Sequence, residues 1–208
     1  MSPGTMQELL LQELSEVHGF VGGLNDEQWR TRSLCDDWTV MEVAAHLASF
    51  IGVPVWGLVT RMARAGFVPS QANRKGVSEW CGRGRTAIVD ALNPTPVPGI
   101  AKVYARVGLT EVVVHHQDMR RPLGRPRAVP DASLRVALSV AARWPMGTGG
   151  TRRHRGLELR ATDIDWSLGS GLSVSGTAEA LLMALAGRRS VFAELKGDGL
   201  GAFSKTAR

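Results

Sequence analysis

The spacing of the hydrophobic residues changes along the chain, and this change limits the possible folds more than any other feature of the sequence. Up to about residue 144, apolar residues recur mainly every three or four positions, as they do along the buried face of a helix. After residue 156, the segment LELRATDIDWSL alternates apolar and polar residues in the manner of a β-strand. Between the two, PMGTGGTRRHRG at 145–156 has the composition of a linker. The sequence therefore predicts an α+β protein with a helical domain at 1–145 and a small α+β domain at 156–208.

The individual helices and strands follow from the same spacing. In the first domain we expect helices at residues 6–24, 39–51, 55–65, 78–92, 100–121 and 132–144. We expect the segment NDEQWRTRSLCDD at 25–37 to be a polar connector. The valines of EVVVHH favour a strand locally, but the long uninterrupted run and the stop at Pro122 favour a helix. In the second domain we expect strands at LELRATDIDWSL, GLSVSG and VFAELKGDG, and a helix at TAEALLMALAGR.

One helix start is marked more clearly than the others. Thr39 is suited to be an N-cap, and Glu42 three residues later completes a capping box. Trp38 before the cap and Val43 in the first turn are placed to form a hydrophobic staple. These residues predict the start of a helix that runs through His46.

The charge of the chain is positive and concentrated in two short runs. The formal net charge is +6, and arginines cluster in MRRPLGRPR and TRRHRG. Arginine clusters can bind phosphate backbones, but no nucleic-acid motif or interleaved aromatic residue accompanies these runs. We therefore expect solvated loop charge first, attraction of an anionic substrate second, and nucleic-acid binding last.

The cysteines and the N-terminal segment exclude other classes. Cys35 and Cys81 are far apart and lack C-x-x-C spacing, which argues against a disulfide framework and against a cysteine-based zinc site. We expect both to be small buried residues. No run approaches about 18 uninterrupted apolar residues, and MSPGTMQELLLQE lacks the pattern of a signal peptide. The expectation is a soluble, cytoplasmic protein without a membrane partner.

Four residues form a candidate metal site. Glu111 and His115 are four residues apart, so on a helix they project from the same face. Asp118 follows on that stripe, and it can either accept a hydrogen bond from a ligand imidazole or act as a local partner within the helix. His46 falls at the edge of an apolar face and would complete a set of two histidines and one carboxylate, which suits a catalytic zinc with one open position. Spacing alone leaves the site undecided, because such pairs are common on exposed helices and a histidine on an apolar face is usually a core residue.

Three longer segments resemble the mycothiol-dependent maleylpyruvate isomerase family. They are LNDEQWRTRSLCDDWTVMEVAAHLASF, EVVVHHQDMRRPLG and LRATDIDWSLGSGLSVSGTAEALLMALAGR, which cover much of the chain in order. The resemblance implies an N-terminal DinB-like four-helix bundle followed by a small sterol-carrier-like α+β domain. It also implies that W-T-V…H contributes His46, and E-x-x-x-H-x-x-D contributes Glu111 and His115, to the metal.

The resemblance further implies an enzyme with zinc and mycothiol as cofactors. A C-terminal arginine would take part in catalysis; Arg188 is the candidate, Arg189 and Arg160 are rivals, and closure of a helix is the structural alternative for Arg188. A small thiol would be activated as a thiolate and attack a small electrophile, as an isomerase or an S-transferase. The alternatives are a non-catalytic metal- or ligand-binding module and a metal-dependent hydrolase. The substrate, the thiol used, the metal present in cells and the oligomeric state do not follow from the sequence.

Overall fold

The computed structural model divides into two compact units, Met1–Arg127 and Ala128–Arg208. The structure describes residues 5–35, 38–51, 55–94, 105–143 and 154–206. No helix among these residues combines the length and the apolar character that crossing a membrane requires. The predicted linker at 145–156 lies mostly outside the described residues, as does the first half of the run TRRHRG.

The first unit is helical throughout its described part. Its helices are α1 (Met6–Gly22), α2 (Asp26–Arg30), α3 (Val40–Ile51), α4 (Val55–Arg64), α5 (Pro69–Arg83), α6 (Arg85–Ala91) and α7 (Ala105–Arg120). Helix α3 packs against α5, α6 and α7, and α7 also packs against α1. The four longest helices, α1, α3, α5 and α7, therefore form the framework of the predicted helical bundle.

The centre of this framework is lined by small and branched residues. Almost all of α3 is buried, including three alanines that allow neighbouring helices to approach closely. The valines 112–114 of α7 are buried as well, on more than one side of the helix. Burial on several sides explains why EVVVHH lacks a helical period although it is a helix.

Two predictions for the first unit need correction. The segment 25–37 is not only a connector, because it contains α2, which is capped by Asn25 and Gln28 in a reciprocal capping box. The helix predicted at 78–92 is two helices, α5 and α6, and α5 begins earlier, at Pro69. The two helices are separated at Gly84, whose φ of +84° is a conformation that side-chain-bearing residues rarely adopt.

The second unit combines a small sheet with four helical segments in its described part. They are α8 (Asp131–Arg143), β1 (Leu157–Ala161), β2 (Ser167–Gly169), β3 (Leu172–Gly176), α9 (Ala178–Leu185), a 3-10 helix (Arg189–Glu194) and α10 (Leu200–Thr206). The strand order is β2-β1-β3, with β1 antiparallel to β2 and parallel to β3. Helix α9 packs against β1, β3 and α8. The predicted α+β class, with a helical N-terminal part, is confirmed.

The predicted strand at VFAELKGDG is wrong. Residues Arg189–Glu194 form the 3-10 helix, which buries Val191, and only Lys196 pairs with the sheet, through an isolated bridge to Ser175. The aromatic ring of Phe192 packs against Phe203 of α10, a helix that the sequence pattern did not predict. The tertiary contact with α10 therefore outweighs the local alternation of the segment.

The two units differ from the predicted domains by one helix. The predicted division at 145–156 assigns α8 to the first domain, whereas its contacts assign it to the second unit. The reason is the buried face of α8, which includes Leu134, Ala137, Leu138 and Ala141 and packs against α9. The predicted domain boundaries at 1–145 and 156–208 stay a prediction.

Candidate metal centre

Helix α3 places His46, and its start is fixed by the predicted capping box. The backbone N–H of Thr39 donates to Glu42 Oε2 at 2.7 Å, and the backbone N–H of Glu42 donates to Thr39 Oγ1 at 3.3 Å. Both interactions satisfy backbone donors at the helix start. The box therefore fixes where the first turn begins, and His46 follows one turn after Glu42 on the buried side of the helix.

Helix α7 brings Glu111 and His115 to the same place. Glu111 Oε2 lies 3.7 Å from His46 Nε2 and 3.4 Å from His115 Nε2. One ligand atom from each of the three residues lies within 4.8 Å of the others. The three residues, called the triad below, thus converge from two helices as the sequence predicted.

The triad suits a small divalent cation. Atoms that bind zinc at about 2.1 Å in a tetrahedral site lie about 3.4 Å apart, which is close to the two measured separations. Two imidazole nitrogens and one carboxylate are also a donor set of the catalytic zinc type. His46 and His115 are only 3% and 7% exposed, whereas the side chain of Glu111 is 43% exposed. The centre is therefore closed around the imidazoles and open on the side of Glu111.

Asp118 holds the second histidine of the triad in place. Its carboxylate is fully buried and lies 2.9 Å from His115 Nδ1, so that the opposite nitrogen, Nε2, faces Glu111. A carboxylate at Nδ1 fixes both the orientation and the tautomer of a ligand imidazole. The hydrogen bond fits both roles that the sequence left open for Asp118, and its support of a metal ligand stays a prediction.

The charges of these groups depend on one another. Burial by itself would lower the pKa of His115, but the hydrogen bonds to Asp118 and Glu111 outweigh it and raise the pKa to about 9. Partial burial acts to raise the pKa of Glu111, but hydrogen bonds from His115 and His46 hold this pKa well below its usual range. Without a metal, the centre therefore holds a protonated His115 between two carboxylates, and a cation must displace that proton.

Aromatic rings form the walls of the centre. The His46 ring lies between Trp38 and Phe50, with both centroids 5.0 Å away, and meets the His115 ring edge-on at 4.8 Å. The ring centroid of Trp38 also lies 6.5 Å from that of His115, so Trp38 borders both imidazoles. The sequence marked Trp38 only as a staple residue, and no local signal assigned it to the centre.

Cys35 also lies close to the centre, which the sequence did not predict. It is half-buried, not fully buried, and forms a second group of potential metal ligands with His115 and Asp118. Its proximity depends on a loop that returns to α7, where the backbone N–H of Leu34 donates to the carbonyl of Asp118 at 3.0 Å. Such a long-range contact has no local sequence signal.

His116 and the arginines after it belong to a different face of α7. Arg120 Nε donates to His116 Nε2 at 2.7 Å, and burial together with the charges of Arg127 and Arg120 lowers the pKa of His116 to about 2. Arg127 pairs with the buried carboxylate of Glu13 on α1. The expectation that the whole run is solvated loop charge is therefore wrong for Arg120 and Arg127, which join α7 and the following loop to buried groups.

The candidate catalytic arginine belongs to the second unit. Arg188 Nη1 donates to the carbonyl of Ala186 at 2.6 Å, just after the end of α9. Of its rivals, Arg189 is exposed and Arg160 pairs with Glu158 at 2.7 Å. The hydrogen bond of Arg188 is the kind expected of a helix-closing residue, and a catalytic role for Arg188 stays a prediction.

Comparisons with known proteins concern the family and the fold of the chain. Residues 10–93 match the model of the mycothiol maleylpyruvate isomerase N-terminal domain, a range that includes Trp38 and His46. A crystal structure of the mycothiol-dependent maleylpyruvate isomerase is similar with a TM-score of 0.64 and 15% identity, over 95% of this chain and 93% of that one. A mutant of that isomerase with a histidine replaced by alanine gives a TM-score of 0.56 and 17% identity over the same shares. No protein of curated function matches the sequence. The resemblance to the mycothiol-dependent maleylpyruvate isomerase family that the sequence motifs indicate is therefore confirmed by the match of residues 10–93 and by the shared fold.

Proposed function

We propose that this protein is a metal- and mycothiol-dependent enzyme, an isomerase or S-transferase that activates a small thiol for attack on a small electrophile. The observation that carries the proposal is the convergence of His46, Glu111 and His115 at one half-open centre. The family domain at residues 10–93 and the shared fold support the choice of thiol and reaction.

The residues of the triad would hold one zinc ion. When bound, zinc would supply the Lewis acidity that stabilises a small thiol as its thiolate at neutral pH. Asp118 keeps the Nε2 edge of His115 directed to the centre, and Trp38 and Phe50 keep the His46 ring from turning. The exposed side of Glu111 leaves room for the thiol and the electrophile to enter.

The nucleophile in this proposal belongs to the cosubstrate. No protein side chain has to form a covalent intermediate, so the chain itself supplies binding, orientation and partial exclusion of water. We also propose Arg188 as the arginine that takes part in the isomerase chemistry, as the family resemblance suggests. Turnover of Arg188→Ala against Arg189→Ala checks this, since a helix-closing role alone would change stability and leave kcat unchanged.

The test is turnover with and without added thiol. The zinc-loaded chain is assayed with maleylpyruvate and with a reactive S-acceptor, in the presence of mycothiol, another small thiol or none. We expect thiol-dependent turnover that His46→Ala and Glu111→Ala abolish and that His18→Ala, which changes a histidine of α1 outside the candidate metal groups, preserves. Full activity of the metal-free protein would contradict the proposal.

A metal-dependent hydrolase is the second candidate. The open side of Glu111 admits water as readily as a thiol, and a zinc centre of this type can also activate water. Turnover that is independent of every thiol tried would favour it. A bound ion without any turnover would favour a non-catalytic binding module instead. A cytoplasmic location and a small-molecule partner remain predictions in each case.

A further inference from the structure

A second group of potential metal ligands shares His115 with the triad. One ligand atom each from Cys35, His115 and Asp118 lies within 4.8 Å of the others. The two groups use opposite edges of the imidazole, because Nε2 lies 3.4 Å from Glu111 whereas Nδ1 lies 2.9 Å from Asp118. His115 and Asp118 are buried, and Cys35 is half-buried, so a cation can reach the group from the side of the thiol.

The backbone holds Cys35 at this position. Ser33 Oγ accepts a hydrogen bond from the N–H of Cys35 at 3.1 Å and donates to its carbonyl at 3.1 Å. The N–H of Trp38 donates to the same carbonyl at 3.0 Å, and the N–H of Leu34 donates to the carbonyl of Asp118. The thiol therefore lies on a loop that is tied to α7 at the residue next to it.

The donor chemistry of the two groups differs. The triad offers two nitrogens and one oxygen, which suit zinc and related borderline cations. The second group has a sulfur in place of one of the two nitrogens, and thiolate ligands select soft cations. A thiolate and a carboxylate together also carry two negative charges, which balance a divalent ion. The sulfur is thus the feature that distinguishes the two groups.

We propose that Cys35, Asp118 and the Nδ1 edge of His115 form a second cation site, selective for soft thiophilic divalent ions of the cadmium type. On binding, the thiol of Cys35 and Nδ1 of the protonated His115 each give up one proton to solvent, and the sulfur bonds to the cation. His115 offers Nδ1 and carries its remaining proton on Nε2. That proton blocks the edge that the triad uses, so the second site excludes an ion in the triad.

This site does not depend on the proposed enzyme activity, because it is tested by ligand binding without turnover. The metal-free full-length chain is titrated with cadmium chloride, and sulfur-to-cadmium charge-transfer absorption in the ultraviolet is recorded. We expect a band that saturates at about one equivalent and is lost in Cys35→Ser, with a loss of cadmium affinity of at least about tenfold. Preloading the chain with zinc should reduce the band.

Matched variants separate this site from the alternatives. Cys81→Ser should keep the band, because burial and then the nearby Glu42 raise the pKa of the Cys81 thiol and disfavour its thiolate. His46→Ala, which breaks only the triad, should also keep it. Absence of the band in the unmodified chain, or its persistence in Cys35→Ser, would overturn the proposal.

A second measurement needs no variant and covers the case in which Cys35→Ser does not fold. The unmodified chain is alkylated with iodoacetamide with and without cadmium, and the modification of each cysteine is followed by mass spectrometry. We expect cadmium to slow the alkylation of Cys35 and to leave that of Cys81 unchanged. Equal alkylation of Cys35 in both conditions would contradict the site.

Discussion

His115 is the residue on which the centre depends most, because it interacts with two carboxylates through its two ring nitrogens. Asp118 at Nδ1 is fully buried, and Glu111 at Nε2 is partly exposed. A buried carboxylate next to a ligand histidine increases the basicity of the ring and fixes its direction. The affinity of the triad for a metal should therefore depend on a residue that does not bind the metal.

Replacing Asp118 with asparagine tests this dependence. Asp118→Asn keeps the size of the side chain but removes the charge that orients His115, so we expect zinc affinity to fall by about 10–100-fold. Competition with a chromophoric chelator measures the change. Asp90→Asn, which alters an exposed aspartate on α6, is the matched control and should have no effect. Equal affinities of the Asp118 variant and the unmodified chain would contradict the role of Asp118.

The raised pKa of His115 predicts how zinc affinity changes with pH. A pKa of about 9 means that His115 of the metal-free chain is protonated near neutral pH, and zinc must displace one proton from it. Affinity should therefore rise by about tenfold per pH unit from about pH 7 and level off as pH passes about 9. Titrations in several buffers also measure the released proton. An affinity independent of pH over this interval would show that His115 is not the ligand that loses a proton.

Trp38 should support metal binding through its contact with both imidazoles. Trp38→Leu removes a ring that borders His46 and His115, and we expect zinc affinity to fall by about tenfold, within the range for residues that support metal ligands. Phe50→Leu is the matched control, because among the described ring contacts Phe50 borders His46 and not His115, and its effect should be smaller. A larger loss in the Phe50 variant would reverse this ranking. Unfolding midpoints show whether either variant changes the fold as well.

Among the elements, α3 packs against α5 and also receives a hydrogen bond from α4. Arg61 of α4 reaches across and donates from Nη1 to the carbonyl of Ser49 at 2.7 Å, and Ser49 Oγ donates to the carbonyl of His46 at 2.8 Å. Gly76 of α5 leaves the space for this arrangement, since a Cβ there would lie 2.9 Å from both Arg61 Nη1 and Ser49 Oγ. These two hydrogen bonds therefore hold the C-terminal end of α3, the helix that carries His46.

Two glycines of α5 should respond to alanine in opposite ways. Gly76→Ala should destabilise the chain by about 1–2 kcal/mol, because the new methyl group displaces Arg61 or Ser49. Gly82→Ala meets no atom within 4 Å, and it should stabilise the chain by about 0.5 kcal/mol through helix propensity. Urea unfolding of both variants measures the difference. Stabilisation by Gly76→Ala would show that the polar contacts do not restrict this position.

Local signals explain which elements the sequence predicts and which it does not. Capping residues and hydrophobic spacing predicted the start of α3 and the long helices α1 and α7. Asn25 and Gln28 form a capping box that also marks the start of α2, but the polar composition of the segment favoured the prediction of a connector. The 3-10 helix and α10 depend on each other through Phe192 and Phe203, so no local pattern predicts them.

For the whole molecule, the candidate site is a product of tertiary structure. Spacing alone pairs Glu111 with His115, because both lie on α7, but His46 joins them only when α3 packs against α7. In the sequence, only the resemblance to a known family joins His46 to that pair as a third candidate ligand. Cys35 and Trp38 could not be assigned in the same way, because a loop contact to Asp118 places the segment that carries them.

The central claim is that His46, Glu111 and His115 bind one ion together, and zinc titration of the metal-free chain tests it most directly. The unmodified chain should bind about one zinc ion tightly, and His46→Ala, which removes the ligand from α3 and leaves α7 intact, should lose that binding. His18→Ala should bind as the unmodified chain does. Zinc bound with unchanged affinity and stoichiometry by His46→Ala would contradict the account.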